Sequence, residues 1–162
     1  MHSIISSNKI KAFTTLELVV TLLILGILSA TVIPKFFTSN GFEEYTYRDE
    51  VISKIRGIQL RAMQQTNSSE CHVVLVNQLK LGIPDDCDVT PSFSNSWVPG
   101  NTGVIIDSDN SIQFDVSGGN FFFSFDQMGR PNGCADPCLV VIVGGEDTLT
   151  IRIESEGYIH GL

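Results

Sequence analysis

Four cysteines are the residues of this sequence whose type and spacing most directly indicate chemistry. They are Cys71, Cys87, Cys134 and Cys138, an even number that allows three disulfide pairings. A zinc site is the alternative, but the sequence has no C-x-x-C pair, and His72 is the only histidine that could join such a site. We therefore predict two disulfides, formed in an oxidising compartment, in preference to a metal site.

The other polar residues lack the partners that catalysis or metal binding requires. His2, His72 and His160 stand apart, and no GxSxG, HExxH, P-loop or paired-carboxylate motif is present. Two aspartate-rich segments, residues 85–88 and 107–110, resemble the start of a calcium loop, but the glycine and glutamate of an EF-hand do not follow. Turn formation explains these aspartates, and calcium binding stays an open alternative. We predict no enzyme activity, no catalytic residue, no cofactor and no metal site.

A single carboxylate, Glu17, lies inside the most apolar segment of the chain. No charged residue occurs between Leu18 and Ile33, and the run from Leu16 to Phe37 is long enough, at about 1.5 Å per residue, for one membrane-spanning helix. A carboxylate inside such a helix costs about 2.5–3.5 kcal/mol on insertion scales. A helix that served only as a membrane anchor would gain nothing from a carboxylate that makes insertion less favourable. We therefore expect a positive charge of another chain to pair with Glu17.

The charges around the apolar run predict its orientation. Lys9 and Lys11 precede it, whereas Glu17 is the only acid before residue 40, so the net charge of −8 arises in the rest of the chain. The positive-inside tendency then predicts a single-pass inner-membrane protein with residues 38–162 as a periplasmic globular domain. An acidic domain repels phosphate backbones, so nucleic acid is not a predicted partner.

A cleaved secretory signal peptide is the alternative for this N-terminal segment. Such a peptide has an apolar stretch of about 7 to 15 residues before a small-x-small cleavage site. Ser29-Ala30-Thr31 could serve as the site, but the apolar stretch here is longer. We therefore favour an apolar helix that stays in the mature chain.

Periodicity after residue 40 predicts one further helix and then a β-rich region. Val51, Ile55 and Ile58 recur at helical spacing within residues 42–66, which predicts a helix with one face on a sheet. From Glu70 onward the period is two, and turn residues separate short apolar segments. The predicted fold class is α+β, with a long N-terminal helix, transmembrane and then amphipathic, packed on antiparallel β-sheets.

The strand pattern places the cysteines beside particular turns. Residues 71–76 and 79–83 predict a β-hairpin, which a Cys71–Cys87 disulfide would close. A Cys134–Cys138 disulfide would close a tight turn beside the last strands, so we predict these two pairings. Residues 84–102 are rich in Pro, Asp, Ser and Asn and predict a long surface loop around Trp97.

The N-terminal segment resembles the processing signal of type IV pilins and type II secretion pseudopilins. In that family a basic leader ends in a small residue, usually Gly; the mature chain then starts with Phe, has Glu at its fifth position and has a Pro late in the helix. Ala12, Phe13, Glu17 and Pro34 occupy those places here. Ala12 departs from the usual Gly, but alanine is also small, so cleavage is still expected.

This resemblance implies how the chain is divided and processed. It implies a leader over residues 1–12, removed by a prepilin peptidase between Ala12 and Phe13, with methylation of the new Phe13 amine. Residues 13–37 would form a transmembrane and filament-core helix, and residues 38–162 the globular domain of a pilin fold. The implied partners are other major and minor pilins, the prepilin peptidase, an inner-membrane assembly platform and membrane lipid, before the subunit enters a pilus filament.

Two stretches near the C-terminus add to the resemblance. Phe125–Pro131, FDQMGRP, is similar to the F-D-x-x-G-R-P turn of the GspH/FimT group, and residues 151–160 are similar to its closing strand. With the cysteine pair after the turn, the chain most resembles MshC-type minor pilins. The implied function is a minor pilin of an MSHA-like type IV pilus, involved in assembly and adhesion; a GspH-type pseudopilin of a type II secretion system is the alternative.

Overall fold

The structure, a computed structural model, describes most of the chain in several segments. These are residues 13–37, 41–65, 71–87, 90–108, 111–116, 119, 121–145 and 147–162, with the backbone alone for 31–37 and 41. The predicted cleavage residue Ala12, the leader and Asp88, Asp109 and Asn110 of the calcium alternative lie outside them. The chain divides into two compact units, Met1–Ser39 and Asn40–Leu162.

The first unit contains helix α1, Thr15–Phe37, of 23 residues. Thr14 caps it, because the backbone N–H of Glu17 donates to Thr14 Oγ1 at 3.2 Å, the bond that an N-cap residue makes to the third helical residue. Inside the apolar segment, the hydroxyls of Thr21 and Ser29 each donate at 2.9 Å to the carbonyl three residues earlier. These two hydroxyls therefore have partners within the helix itself.

The prediction of a membrane anchor is wrong on the described structure. Within the part of the chain that the structure describes, no helix is both long enough and apolar enough to cross a membrane. The predicted single-pass inner-membrane localisation is corrected accordingly. Pro34, a residue predicted to act in assembly, lies within the helical backbone of α1.

The second unit consists of helix α2, Gly41–Gln64, and two antiparallel sheets. The strands described are β1 Val73–Val76, β2 Lys80–Gly82, β3 Val104–Ile105, β4 Gln113–Phe114, β5 Phe121–Phe125, β6 Pro131–Asn132, β7 Cys138–Val143, β8 Thr148–Ile153 and β9 Ile159–Gly161. One sheet has the order β3-β2-β1-β5-β6 and the other β4-β7-β8-β9. The α+β class, with antiparallel sheets and an N-terminal helix, is confirmed, as is the β1–β2 hairpin.

The core of this unit is formed by α2 and strands of both sheets. Helix α2 contributes Val51, Ile55, Ile58 and Ala62, which are buried and recur at the helical spacing read from the sequence. The strands contribute Val74, Val76, Leu81, Phe114, Phe123, Val140, Ile142, Ile151 and Ile153. Full burial of one such large side chain contributes about 1.5–3 kcal/mol, so packing stabilises α2 more than its helix propensity does.

One charged side chain, Glu44, is completely buried in this unit. The macrodipole favours an acid in the first turn of α2, and here that acid also points inward. Its Oε2 accepts the backbone N–H of Asp147 at 3.1 Å, in the turn between β7 and β8. The carboxylate occupies space that a Cβ on Gly144 would need, so this turn requires glycine where it receives Glu44.

Two features differ from the predicted pattern. Strand β6 contains a proline, and its position at the sheet edge explains this, because an edge residue can lack an N–H without losing a ladder bond. The 84–102 loop is anchored, since Trp97 is only 7 % exposed and its Nε1 donates to Ile83 O at 2.8 Å. A Cβ on Gly103 would overlap the indole. A lone tryptophan among polar residues has no periodic partner that would reveal its burial.

Both predicted disulfides are present. Cys71 is bonded to Cys87, with Cα atoms 5.9 Å apart, and Cys134 to Cys138, with Cα atoms 5.5 Å apart. The first joins the segment before β1 to the loop after β2. The second closes the turn that leads into β7. The disulfides therefore restrain two loops that short strands alone would hold weakly.

Removing the two disulfides should destabilise the second unit unequally. Replacing Cys71 and Cys87 by Ala removes a disulfide between residues that are 16 positions apart in the sequence. Replacing Cys134 and Cys138 by Ala removes a disulfide between residues that are 4 positions apart. Loss of chain constraint predicts costs of about 3 and about 2 kcal/mol, because a longer loop restricts the unfolded chain more. Urea unfolding of the two double variants measures the difference. Equal free energies of unfolding, or cross-paired cysteines in a non-reducing peptide map, would contradict this expectation.

Candidate functional site

The residues predicted to act in assembly lie on an apolar helix whose described side chains are all exposed. Phe13 is 77 % exposed and Leu16 is 75 % exposed. The apolar side chains that follow are also exposed: Leu18, Val19, Val20, Leu22, Leu23, Ile24, Leu25, Ile27 and Leu28. A helix that is apolar on all sides is normally buried, so this surface is suited to contact with other molecules.

Glu17 has a local role that the sequence analysis missed. It is the third helical residue after the cap, so Thr14-Thr15-Leu16-Glu17 has the spacing of a capping box. The N-terminal end of a helix also favours a negative charge. The capping signal was therefore present in the sequence, beside the spacing that resembles pilins.

In the second unit, two motifs that are far apart in sequence meet on helix α2. They are the turn within Phe125–Pro131 and the turn that joins β8 to β9. Gln59 connects them, because its Nε2 donates to Gly129 O at 2.7 Å and to Gly157 O at 2.6 Å. Both stretches stand out in the sequence by resemblance, but nothing in the sequence places them in contact. Their common partner is a single amide side chain.

The glycines in these two turns are required by geometry. Gly129 has a φ of 79° and Gly157 a φ of 91°, in the region that side chains disfavour. A Cβ on Gly157 would overlap the carbonyl oxygen of Gly129, and one on Gly129 would lie 2.8 Å from Met63 Sδ. The two turns can approach α2 this closely only because neither glycine has a side chain.

Asp126 organises the first of these turns. Its Oδ1 accepts the backbone N–H groups of Met128 and Arg130, each at 2.9 Å, and its Oδ2 accepts Arg130 Nε at 2.8 Å. Chiefly because of the backbone bond from Arg130, the pKa of Asp126 lies below its ordinary value. Asp126 therefore serves the turn, which leaves Met128 68 % exposed beside α2.

Glu154 organises the second turn together with two basic side chains. His160 Nε2 lies 3.1 Å from Glu154 Oε1, and Arg152 Nε lies 2.9 Å from the same oxygen, at ion-pair distance. The hydrogen bond with His160 is the main cause that lowers the pKa of Glu154. The Tyr158 ring stacks on His160 with centroids 5.0 Å apart. His160 has no motif partner in the sequence, but in the structure its partners are Glu154 and the Tyr158 ring.

Helix α2 also covers the edge strand β9. Arg56 Nη2 donates to Ile159 O at 2.6 Å, and Gln59 binds the carbonyl of Gly157 just before the strand. A free strand edge is a site for pairing with other chains. Here two side chains of α2 occupy carbonyls along that edge.

A shallow groove of about 360 Å³ lies between α2 and the start of β9. Arg56, Leu60 and Met63 line one side, and Tyr158 with Ile159 lines the other. This combination of apolar surface and one guanidinium can bind a partner but contains no nucleophile or acid–base pair. Within the ranges the structure describes, no group of three His, Cys, Asp or Glu residues could hold a metal ion.

Comparison with known protein families, with curated proteins and with solved structures gives no significant match. Function is therefore inferred from the residues and their contacts.

Replacing Gln59 by Glu should destabilise the second unit. A carboxylate at this position cannot donate to the carbonyls of Gly129 and Gly157, and each buried carbonyl that loses its donor costs about 1–3 kcal/mol. Gln64→Glu is the matched control, because Gln64 is exposed on the same helix. Its effect should stay within about 0.5 kcal/mol. Urea unfolding measures both variants, and equal shifts would show that the Gln59 bonds do not hold the two turns.

Proposed function

We propose that this protein is a filament subunit of the type IV pilin kind, a minor pilin of an MSHA-like pilus that a prepilin peptidase processes. The observation that carries this proposal is helix α1, whose described side chains are all exposed and mostly apolar and whose first turn carries one carboxylate. Burying a single Leu, Ile or Val side chain contributes about 1.5–3 kcal/mol. Lateral packing of such helices from several subunits would therefore drive assembly.

Glu17 would set the register of that packing. Cleavage before Phe13 creates an α-amine four residues from Glu17, at the start of the same helix. The amine of one subunit and the carboxylate of its neighbour can then pair in the apolar filament core. A buried pair is a weak source of stability, but an unpaired partner is costly, so only staggers that form the pair are favoured.

The second unit supports a role in assembly. The polar side chains that its motifs provide form bonds within the chain: Asp126 in its turn, Gln59 between two turns, and Glu154 with His160. The features of this unit that other molecules could contact include its exposed apolar side chains and the groove beside α2. Such a unit would decorate a filament whose core is α1.

Co-expression with a prepilin peptidase should yield a mature chain that starts at Phe13. The expected cut follows Ala12, because this small residue precedes Phe and Glu17 lies at the fifth mature position. Replacing Ala12 by Leu should block cleavage on steric grounds, whereas Ala12→Gly should preserve it. Intact mass and N-terminal sequencing measure the outcome. An unprocessed chain, or a mature start near Thr31, would contradict the proposal.

Replacing Glu17 by Gln should reduce the amount of subunit in filaments. Glutamine keeps the capping-box pattern with Thr14, so this variant removes the charge and leaves the helix start intact. Leaving one partner of a buried pair alone costs about 3–5 kcal/mol. The measurement is the ratio of processed subunit in sheared filaments to subunit retained by the cells.

Thr14→Ala is the matched control for this experiment. It removes the cap, at a cost of about 1 kcal/mol, but keeps the carboxylate. If assembly depends on the charge, Thr14→Ala should enter filaments far better than Glu17→Gln. Filament incorporation of Glu17→Gln at the wild-type level would show that the carboxylate does not set the register.

A further inference from the structure

Helix α2 carries acidic side chains in its first half and basic side chains in its second half. Its first part carries Glu43, Asp49 and Glu50 at exposed positions, with Arg48 as the only base before residue 51. Its second part carries Lys54, Arg56 and Arg61 and has no acid up to Gln65. In a chain of net charge −8, this basic half is exceptional. The two halves of one helix therefore present opposite charges to a partner.

The two halves also expose apolar side chains on one face of the helix. Phe42, Tyr45 and Asp49 are spaced by three and four residues, and Arg56, Leu60 and Met63 continue this spacing on the same face. We name the first three residues, with Asp147, the acidic end; Tyr45 Oη donates to Asp147 Oδ2 at 3.3 Å. We name Arg56, Leu60, Met63 and Tyr158 the basic groove.

Both surfaces are exposed in the second unit. Phe42 is 77 % exposed at the acidic end, while Leu60 is 54 % and Tyr158 is 64 % exposed at the basic groove. Asp49 is bonded to Arg48 at 3.1 Å, but its side chain is 70 % exposed. Arg48 is only 23 % exposed and also lies over the Tyr45 ring, 5.2 Å from its centroid, so it stays in place. The exposed Asp49 carboxylate can accept a cation of another molecule beside it.

We propose that the basic groove of one copy of this chain binds the acidic end of α2 in a second copy. This partner is chosen by charge complementarity. The groove combines the Arg56 guanidinium with apolar side chains, which favours an acidic segment that also has apolar side chains. The acidic end is such a segment on the same molecule. The inference rests on the proposed filament function and names an interface between subunits that lies outside helix α1.

The two surfaces are different patches on one face of α2, and Tyr45 and Met63 lie about 27 Å apart along the helix at about 1.5 Å per residue. A contact between two different patches is head-to-tail when it repeats from copy to copy, and reciprocal when two antiparallel helices form it twice about a two-fold axis. In the proposed filament we expect the head-to-tail contact, because it adds subunits in one direction.

Photo-crosslinking of the purified full-length chain tests the contact. A photoreactive phenylalanine analogue replaces Met63, and mild detergent keeps the apolar α1 in solution. We expect a crosslinked dimer in which the probe is joined to the tryptic peptide that contains Phe42 and Tyr45 of a second copy. The same probe at Val98, an exposed loop residue, should not label that peptide. Absence of the Met63 crosslink, or its attachment to another segment, would overturn the proposal.

A charge exchange provides the second arm. Leu60→Glu places an acid in the basic groove, where it faces the acidic end of the second copy. Like-charge repulsion should lower the yield of the Met63-crosslinked dimer about tenfold. Adding Asp49→Lys in the same chain should restore it, while Val98→Glu should leave it unchanged. Unaltered yield in Leu60→Glu, or no recovery in the double variant, would count against the interface; urea unfolding verifies that both variants fold.

Filament incorporation separates this inference from the proposed function. If the Leu60→Glu variant enters sheared filaments at the wild-type level and the purified chain gives no Met63 crosslink, the interface is wrong and the filament role stands. If the crosslink forms but the chain never enters filaments, the interface is correct and the filament role fails.

Discussion

The burial of one face of helix α2 against both sheets is the interaction on which the second unit depends. Several of its strands have only two residues, as in β3, β4 and β6, and such short pairings are marginal in water. They persist because their inner side chains lie in one core with Val51, Ile55 and Ile58. The helix in turn depends on that core, because most of the stability of a helix in a protein comes from the packing of its apolar face.

Once this face is buried, the flanks of α2 are held beside the sheet edges and turns. Glu44 reaches the β7–β8 turn, Arg56 reaches the edge strand β9, and Gln59 reaches two turns at once. Each of these side chains binds a backbone group of the segment it reaches, and for Gly129, Gly157 and Ile159 that group belongs to a buried residue. The requirement for glycine at positions 144, 129 and 157 follows from the same close approach. Packing, capping and turn geometry are therefore consequences of one helix position.

Helix α1 follows a different principle. Its N-terminal cap and the hydroxyls of Thr21 and Ser29 have partners within the helix or its cap, yet its described apolar side chains are exposed. The free energy that burial of this surface could contribute is available only through other molecules. The proposed filament role rests on this combination of a self-contained second unit and an exposed apolar helix.

The sequence by itself determined the features that depend on local pattern. The apolar run predicted α1, and periodicity predicted α2, the β1–β2 hairpin and the α+β class. The hairpin predicted the Cys71–Cys87 disulfide. The length of the apolar run also suggested a membrane anchor, which the described helices do not support.

Only the tertiary structure decided what depends on contacts between distant segments. The burial of Trp97 and Glu44, the partner of His160 and the junction of two turns at Gln59 have no periodic signal, since each involves one side chain. Local pattern records which face of an element is apolar, because many residues share that property. It does not record which single amide meets which carbonyl, because that is set by the distance between elements after the core has packed.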